Sequence, residues 1–425
     1  MSGKDVIALA NNWNNVEDPF LGSGIMTLVR VAYEQFPYQE QLGDLIPRYL
    51  TILTETNPAN PSLDVPGVFQ SKTGLSIQEF VKIGLAFYSG ALHYASFTRG
   101  FLEGTKVEKL KPFLTAEKID AFLKTAAADF LTFRNLCLEE EKGAPGAGKW
   151  TFNPLVSRPV VILPDGRLCV PIPRLLIHRI TKGIYYDLVE ALDTCGQHLF
   201  TDWFGYAFQE YGGIILRKAL NQSTVYQEPA YGSPVRHGPD WTVLGQGIGL
   251  AMEFRSSRLP KMVRTTTERD EVMNRVRREL AQTARKLPAK IRDILDGSAG
   301  LASSGVSEIV PAIVTLEPWY PEALTADLIR AELQEEGVDA GRFQLMSIGD
   351  LEWLLTWAQR EPPAVVLRGK LSDPTLDDLS VSQYLRKRAD GQSLSFPRRI
   401  LKDKWETFFD EITGPDGQSE DTESH

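Results

Sequence analysis

Two acids and a cation within one short stretch are the most chemically suggestive grouping in the chain. Gly238-Pro239-Asp240-Trp241 puts an acid at a turn entering an apolar run. Leu250-Ala251-Met252-Glu253-Phe254-Arg255 puts a second acid inside the next apolar run, with a cation two residues after it. Residues two apart on a strand share a face, so Glu253 and Arg255 project together. If the two runs pair as a hairpin, Asp240 lies beside them. Two carboxylates and a cation on one sheet edge are the parts needed to hold a divalent metal against a phosphate.

The elements around this group follow from periodicity. The stretch from 1 to about 140 reads as mostly helical. Ser76-Ile77-Gln78-Glu79 is a capping-box pattern ahead of an apolar run, and Ile119, Phe122, Leu123, Ala126, Ala127 and Phe130 recur at helical spacing. Gly143-Ala144-Pro145-Gly146-Ala147-Gly148 interrupts the pattern and marks a domain boundary. Beyond it, apolar runs at 158–163 and 168–172 flank Pro164-Asp165-Gly166-Arg167, the signature of a β-hairpin. Helical spacing covers 175–192 and 200–220. The two acid-bearing runs follow, then a charged helical stretch to about Ile294, a strand at 309–316, and helices near 326–335 and 348–359. These spans divide the chain into a helical N-terminal domain (1–142), an α/β domain (150–370), a basic helical extension (371–413) and a disordered acidic tail (414–425).

Helix, strand, strand, helix, strand from about 200 to 316, with Pro239-Asp240 at the first strand and Glu253-Phe254-Arg255 on the second, resembles the PD-(D/E)xK nuclease superfamily. The resemblance covers roughly a third of the chain and leaves out the N-terminal helices. It implies a restriction-endonuclease-like mixed-sheet core with helices on its faces. It also implies that Asp240 and Glu253 ligate Mg²⁺ (or Mn²⁺), with Glu210 adding an acid from the preceding helix and Gln282 a helix-borne amide. Arg255 stands where the family has lysine. An arginine does not give up its proton, so it can orient a water or stabilise a phosphate but cannot act as a base. Lys261, further along, is the nearest lysine after it. Structural roles stay open for the same residues: Asp240 shaping a turn, Glu253 in an ion pair with Arg255 or Arg258, Glu210 as a solvated helix acid.

Charge supports a phosphate-bearing partner. The chain carries a net charge of −9, yet Arg255 to Arg292 holds twelve Lys or Arg against four acids. Such an island suits a nucleic-acid backbone, with Arg258, Lys261, Arg264, Arg275 and Arg278 as its contacts. A second basic group, Arg386-Lys387-Arg388 with Arg398, Arg399 and Lys402, extends the track or is plain surface. The five histidines form no short-spaced pair for zinc, and neither a Walker loop nor a Gly-x-Ser-x-Gly elbow is present. Cys137, Cys169 and Cys195 read as free thiols of a reducing compartment, and the N-terminus lacks a signal-peptide pattern.

The sequence therefore points to a cytoplasmic Mg²⁺-dependent endonuclease acting on DNA, of the kind found in bacterial anti-phage or restriction systems, with no membrane and with room for a partner protein or homo-oligomer. Two alternatives stand beside it. One is a catalytically impaired nuclease-fold subunit that binds nucleic acid or a partner without cleaving. The other is a scaffold assembled by the helical domain.

Overall fold

A computed structural model describes residues 40–413 apart from 60–61, 106–107, 144–151, 194–197, 258–273, 275, 303–304, 320–321, 336, 338–340, 378 and 392–397. The architecture is mixed α/β and rich in helix. Helices α1 (Leu42–Thr54), α2 (Val65–Thr73), α3 (Ile77–His93), α4 (Arg99–Glu103) and α5 (Ala116–Ala126) come first. The capping box forms as its spacing requires: Ser76 Oγ accepts from Glu79 N, and the Glu79 carboxylate accepts from Ser76 N. The helical reading through Ala127 and Phe130 needs correction. Strand β1 (Ala127–Asp129) intervenes, and Phe130 lies exposed at the start of α6 (Phe130–Gly143). Tertiary pairing overrides the local period there: β1 lies parallel to β2 (Val160–Ile162), which pairs antiparallel with β3 (Leu168–Cys169) across the Pro-Asp-Gly turn.

The helical stretch from 175 to 192 is two helices, α7 (Pro173–Arg179) and α8 (Lys182–Leu192). Then come α9 (Leu199–Ala219), β4 (Val225–Gln227), the small hairpin β5 (Ala230–Tyr231) and β6 (Arg236–His237), β7 (Trp241–Leu244) and β8 (Gly247–Arg255). A π-helical turn, Arg277–Ala281, leads into α10 (Gln282–Leu295) and β9 (Val306–Thr315). After these come α11 (Glu322–Glu335), β10 (Gln344–Ser347), α12 (Ile348–Trp357), α13 (Pro363–Ser372), α14 (Val381–Gly391) and α15 (Lys402–Thr413).

The main sheet has the order β10-β9-β8-β7-β4, with β4, β7 and β8 antiparallel in turn and β8, β9 and β10 parallel. The two acid-bearing runs thus pair as a hairpin, but on inner strands and not at a sheet edge. Pro311 is tolerated in β9 because β10 joins only at Ala312, leaving one side of the strand without a neighbour at the proline. One face of the sheet carries Trp241, Met252, Phe254, Val314 and Met346, in the same apolar cluster as α9 and the N-terminal helices. The other face carries Ile313 and Leu345 with α10 and α11, and Leu244 and Ala251 with the end of α10.

The core does not divide near residue 143. A single buried cluster contains Ile46, Phe80 and Phe122 together with Phe208, Met252 and Leu354. A buried ionic chain ties the same layers. The fully buried Glu352 of α12 accepts from Arg48 Nε at 2.7 Å and Nη2 at 2.8 Å, and from Tyr211 Oη at 2.6 Å. Glu40 in turn accepts from Arg48 and Lys182. Among the described residues no helix is long and apolar enough to cross a membrane.

Consecutive glycines let α9 lie flat on the sheet. A Cβ at Gly212 would stand 2.4 Å from the Phe254 ring, and one at Gly213 would stand 2.2 Å from the Trp241 ring. The Trp241 indole has no freedom to retreat, because its Nε1 donates to Gln209 O at 2.8 Å. At Gly205 of the same helix the nearest atom is Ser256 Oγ, at an ordinary 3.6 Å. Alanine improves helix propensity by about 1 kcal/mol, whereas overpacking costs about 1–3 kcal/mol. Gly213→Ala is therefore expected to lower the melting temperature and Gly205→Ala to raise it slightly. Thermal denaturation of both variants checks this, and equal effects would contradict the packing described.

Candidate functional site

Strand β8 delivers Glu253 and Arg255 to the face covered by α10, while Met252 and Phe254 point the other way into the main core. Trp241 of β7 pairs with Met252 of β8, so continuing the register by one residue sets Asp240 opposite Glu253. Side chains directly opposite in an antiparallel pair are close neighbours, with Cβ atoms about 4.5–5.5 Å apart. The two acids proposed from sequence are thus brought together on one face.

Asp240 is held from several sides. Its backbone O accepts from Glu228 N at 3.0 Å. Its Oδ2 accepts from Phe254 N at 2.7 Å, satisfying an amide that lies beyond the end of the β7 ladder. Burial, and secondarily the negative charge of Glu253, push the Asp240 carboxyl up to about 7 from its ordinary 3.8, against the lowering pull of the Phe254 amide, Arg255 and Lys290.

Glu253 is almost fully buried, and both its oxygens are engaged. Lys290 Nζ, from α10, donates to Oε1 at 2.5 Å, and Arg255 Nη2 donates to Oε2 at 3.2 Å. Lys290 also donates to Gly238 O at 2.8 Å, which ties the approach to Asp240 to the same helix. Arg255 is steadied by Thr283, whose Oγ1 accepts from Nε at 2.7 Å.

The other sequence candidates are placed differently. Glu210 does not join the acids: its Oε2 accepts from Asn57 N at 2.9 Å, and α9 packs on the opposite face of the sheet, against Phe254 and Trp241. Among the described residues, no group of three or more His, Cys, Asp or Glu side chains gathers as a metal-holding cluster. Gln282 lies on the exposed side of α10, and it is the next residue, Thr283, that reaches the site. Arg258, Lys261, Arg264 and Arg275 lie outside the described residues, as do Cys195, most of the glycine-rich stretch and the acidic tail. Arg278 is exposed, as are Arg285, Lys286 and Arg292 along the outer face of α10. Three of the six cations of the second basic group are paired with acids: Arg388 with Glu361, Arg398 with Glu406 and Arg399 with Asp44.

Lys290 is the residue that sequence reasoning missed as part of the site. It was visible as one of twelve cations, and its position on a helix face directed at β8 is the only signal that separates it from Lys286. Chemically, the site offers two carboxylates, a primary amine and a guanidinium. Two carboxylates with substrate oxygens and waters make up a set that Mg²⁺ accepts. The repulsion from Glu253, which adds to burial in raising Asp240, is what a divalent ion would relieve, once Lys290 gives up its bond to Glu253.

The unfolded chain loses the Asp240 proton near 3.8, and the folded chain holds it to about 7. Between those values the folded state binds more protons, so stability falls as pH rises through the window and the loss is complete above it. Asp240→Asn keeps an acceptor for Phe254 N and removes the charge. Its stability relative to the unaltered protein is expected to improve from about pH 5 to about pH 8 by on the order of 2 kcal/mol. Denaturant titrations at both pH values test this, and a pH-independent difference would rule it out. In comparisons with family models, characterised proteins and solved structures, nothing matches this chain, and its functional reading rests on the site itself.

Proposed function

We propose that the protein is a metal-dependent nuclease that hydrolyses DNA phosphodiester bonds. The observation that carries this reading is the juxtaposition of two buried carboxylates on one face of the sheet, Asp240 at the entry to β7 and Glu253 on β8. The order α9, β4, β7, β8, α10, β9, an antiparallel three-strand run followed by a helix and a parallel strand, supports a restriction-endonuclease-like core. The exposed cations of α10 support a nucleic-acid backbone lying outside the site. Free thiols at Cys137 and Cys169 suit a cytoplasmic protein, and a role in bacterial anti-phage defence or restriction is the setting we favour by analogy of fold.

In this reading Asp240 and Glu253 would hold the ion, whose chemistry would be to lower the pKa of a bound water and stabilise charge on the phosphate. Lys290 takes the place left by the arginine at 255. Its amine is a compact donor of hydrogen bonds seated on the Glu253 carboxylate, and would be at hand for a water there. Arg255, fixed by Thr283, presents a permanent positive charge to a phosphate oxygen. The second reading, a subunit that binds without cleaving, draws support from the same contacts, because both Glu253 oxygens already have protein cations as partners.

Plasmid cleavage separates the two. The unaltered protein is expected to cut in Mg²⁺ or Mn²⁺ and to be silent in EDTA. Asp240→Asn, Glu253→Gln and Lys290→Met are each expected to lower the rate by about 10²-fold or more. Salt-sensitive binding without cleavage would replace the nuclease with the binding subunit, and cleavage undiminished by Lys290→Met would remove Lys290 from the mechanism.

A further inference from the structure

We propose that two copies of this chain associate through α6, laid antiparallel about a two-fold axis, with the acidic end of each helix set against a cationic groove at the foot of the other. The proposal is independent of the nuclease reading. From Phe130 to Lys142 no residue of α6 is buried. A helix of this length is marginal in water without a packed face. Its main contacts are with β1 and the 3-10 turn Pro154–Val156, and Phe133 and Leu136 are only half-buried. The other side of the helix is apolar. Leu131 and Leu138, seven residues apart and so on one face, are 65% and 43% exposed, with Phe130 and Cys137 exposed beside them. A contiguous apolar stripe in water marks a contact surface.

Charge decides what covers it. The tip of α6 carries Glu139, Glu140 and Glu141, and its foot adjoins an open groove of about 490 Å³. Arg99, Lys124 and Arg158 line that groove, together with Asp120, Asp129 and Thr132. Asp120 is taken by Arg99, and Asp129 accepts from Thr132 N at the start of α6. Arg158 Nη1 donates to the backbone oxygens of Lys124 and Ala127. Among the described residues neither Arg158 nor Lys124 is paired with an acid, so the groove keeps two cations for an acid from outside.

One helix thus carries both halves of a contact. Antiparallel pairing joins the apolar faces, sets each acidic tip against the other copy's cationic foot, and opposes the helix dipoles. Setting Leu131 opposite the partner's Leu138 brings Glu139 opposite the partner's Phe130, the first residue of α6, next to the groove. Parallel pairing would instead stack the three glutamates on their own counterparts. The same acids repel a phosphate backbone or an anionic lipid surface. A helix pair about 21 Å long with a groove at each end is a small isologous contact, so the dimer should dissociate on dilution.

Light scattering on the full-length protein tests this. At about 100 µM in low salt the mass is expected to be twice 47.5 kDa, falling toward the monomer on dilution or in about 0.5 M salt. Leu131→Asp is expected to weaken association about tenfold or more and, because Leu131 is exposed, to leave the melting temperature unchanged. Glu139→Lys and Lys124→Glu are each expected to weaken it too, and an equimolar mixture of the two to restore the dimer, because the reversed charges then meet. A monomer at every concentration would overturn the proposal, as would a dimer indifferent to Leu131→Asp or a mixture that fails to recover. A monomer whose melting temperature falls with Leu131→Asp would show the stripe covered by the chain's own residues, and would overturn it as well.

Discussion

A buried carboxylate in the middle of a sheet dictates much of the arrangement around it. Glu253 sits on β8, between β7 and β9, with almost no access to water. An isolated charge there would cost several kcal/mol. Lys290 and Arg255 offset that cost, and to do so α10 must cross β8 with Lys290 directly over the acid. Once α10 is placed, Asp293 receives Tyr231 and Arg236 from the hairpin, and Gly238 O receives Lys290. The chain entering Asp240 is then fixed from one side by α10 and from the other by Trp241 on the backbone of α9.

Stability alone would not ask for this cluster. A buried ion pair is often no better for stability than apolar residues of similar volume. Here a second acid has been added beside the first, in a place where burial and its neighbour hold it protonated to about 7. Asp240 does cap the Phe254 amide, and an asparagine would serve that purpose equally. Titratable groups pushed from their ordinary range by burial and by a like charge are characteristic of working sites. The Glu352 carboxylate is also fully buried, and Arg48 and Tyr211 satisfy it within packed helices; beside it burial raises Asp44 to about 6, so a raised carboxyl alone does not single out the Asp240 site.

Much of the local structure could be read from the residues. The capping box at Ser76, the hairpin across Pro164-Asp165-Gly166 and the pairing of the two acid-bearing runs depend on near neighbours, which spacing records. Features that depend on distant partners were not legible. Ala127 leaves its helical period because β2 pairs with it from more than thirty residues away. Glu210 has the type and place of a ligand, but a loop amide at Asn57 takes its carboxylate. Lys290 looked like one cation among many until the crossing of α10 over β8 singled it out. The short strands β4, β5 and β6 bear little apolar pattern and owe their form to the strands and helix they border.

The most direct test is to locate a bound ion. Crystals of the full-length protein grown with Mn²⁺ and a non-cleavable DNA duplex, measured at the manganese absorption edge, should show an anomalous peak between the carboxylates of Asp240 and Glu253, with the Lys290 amine moved off Glu253. A map with no peak there, and Lys290 still seated on Glu253, would contradict the metal site on which the account depends.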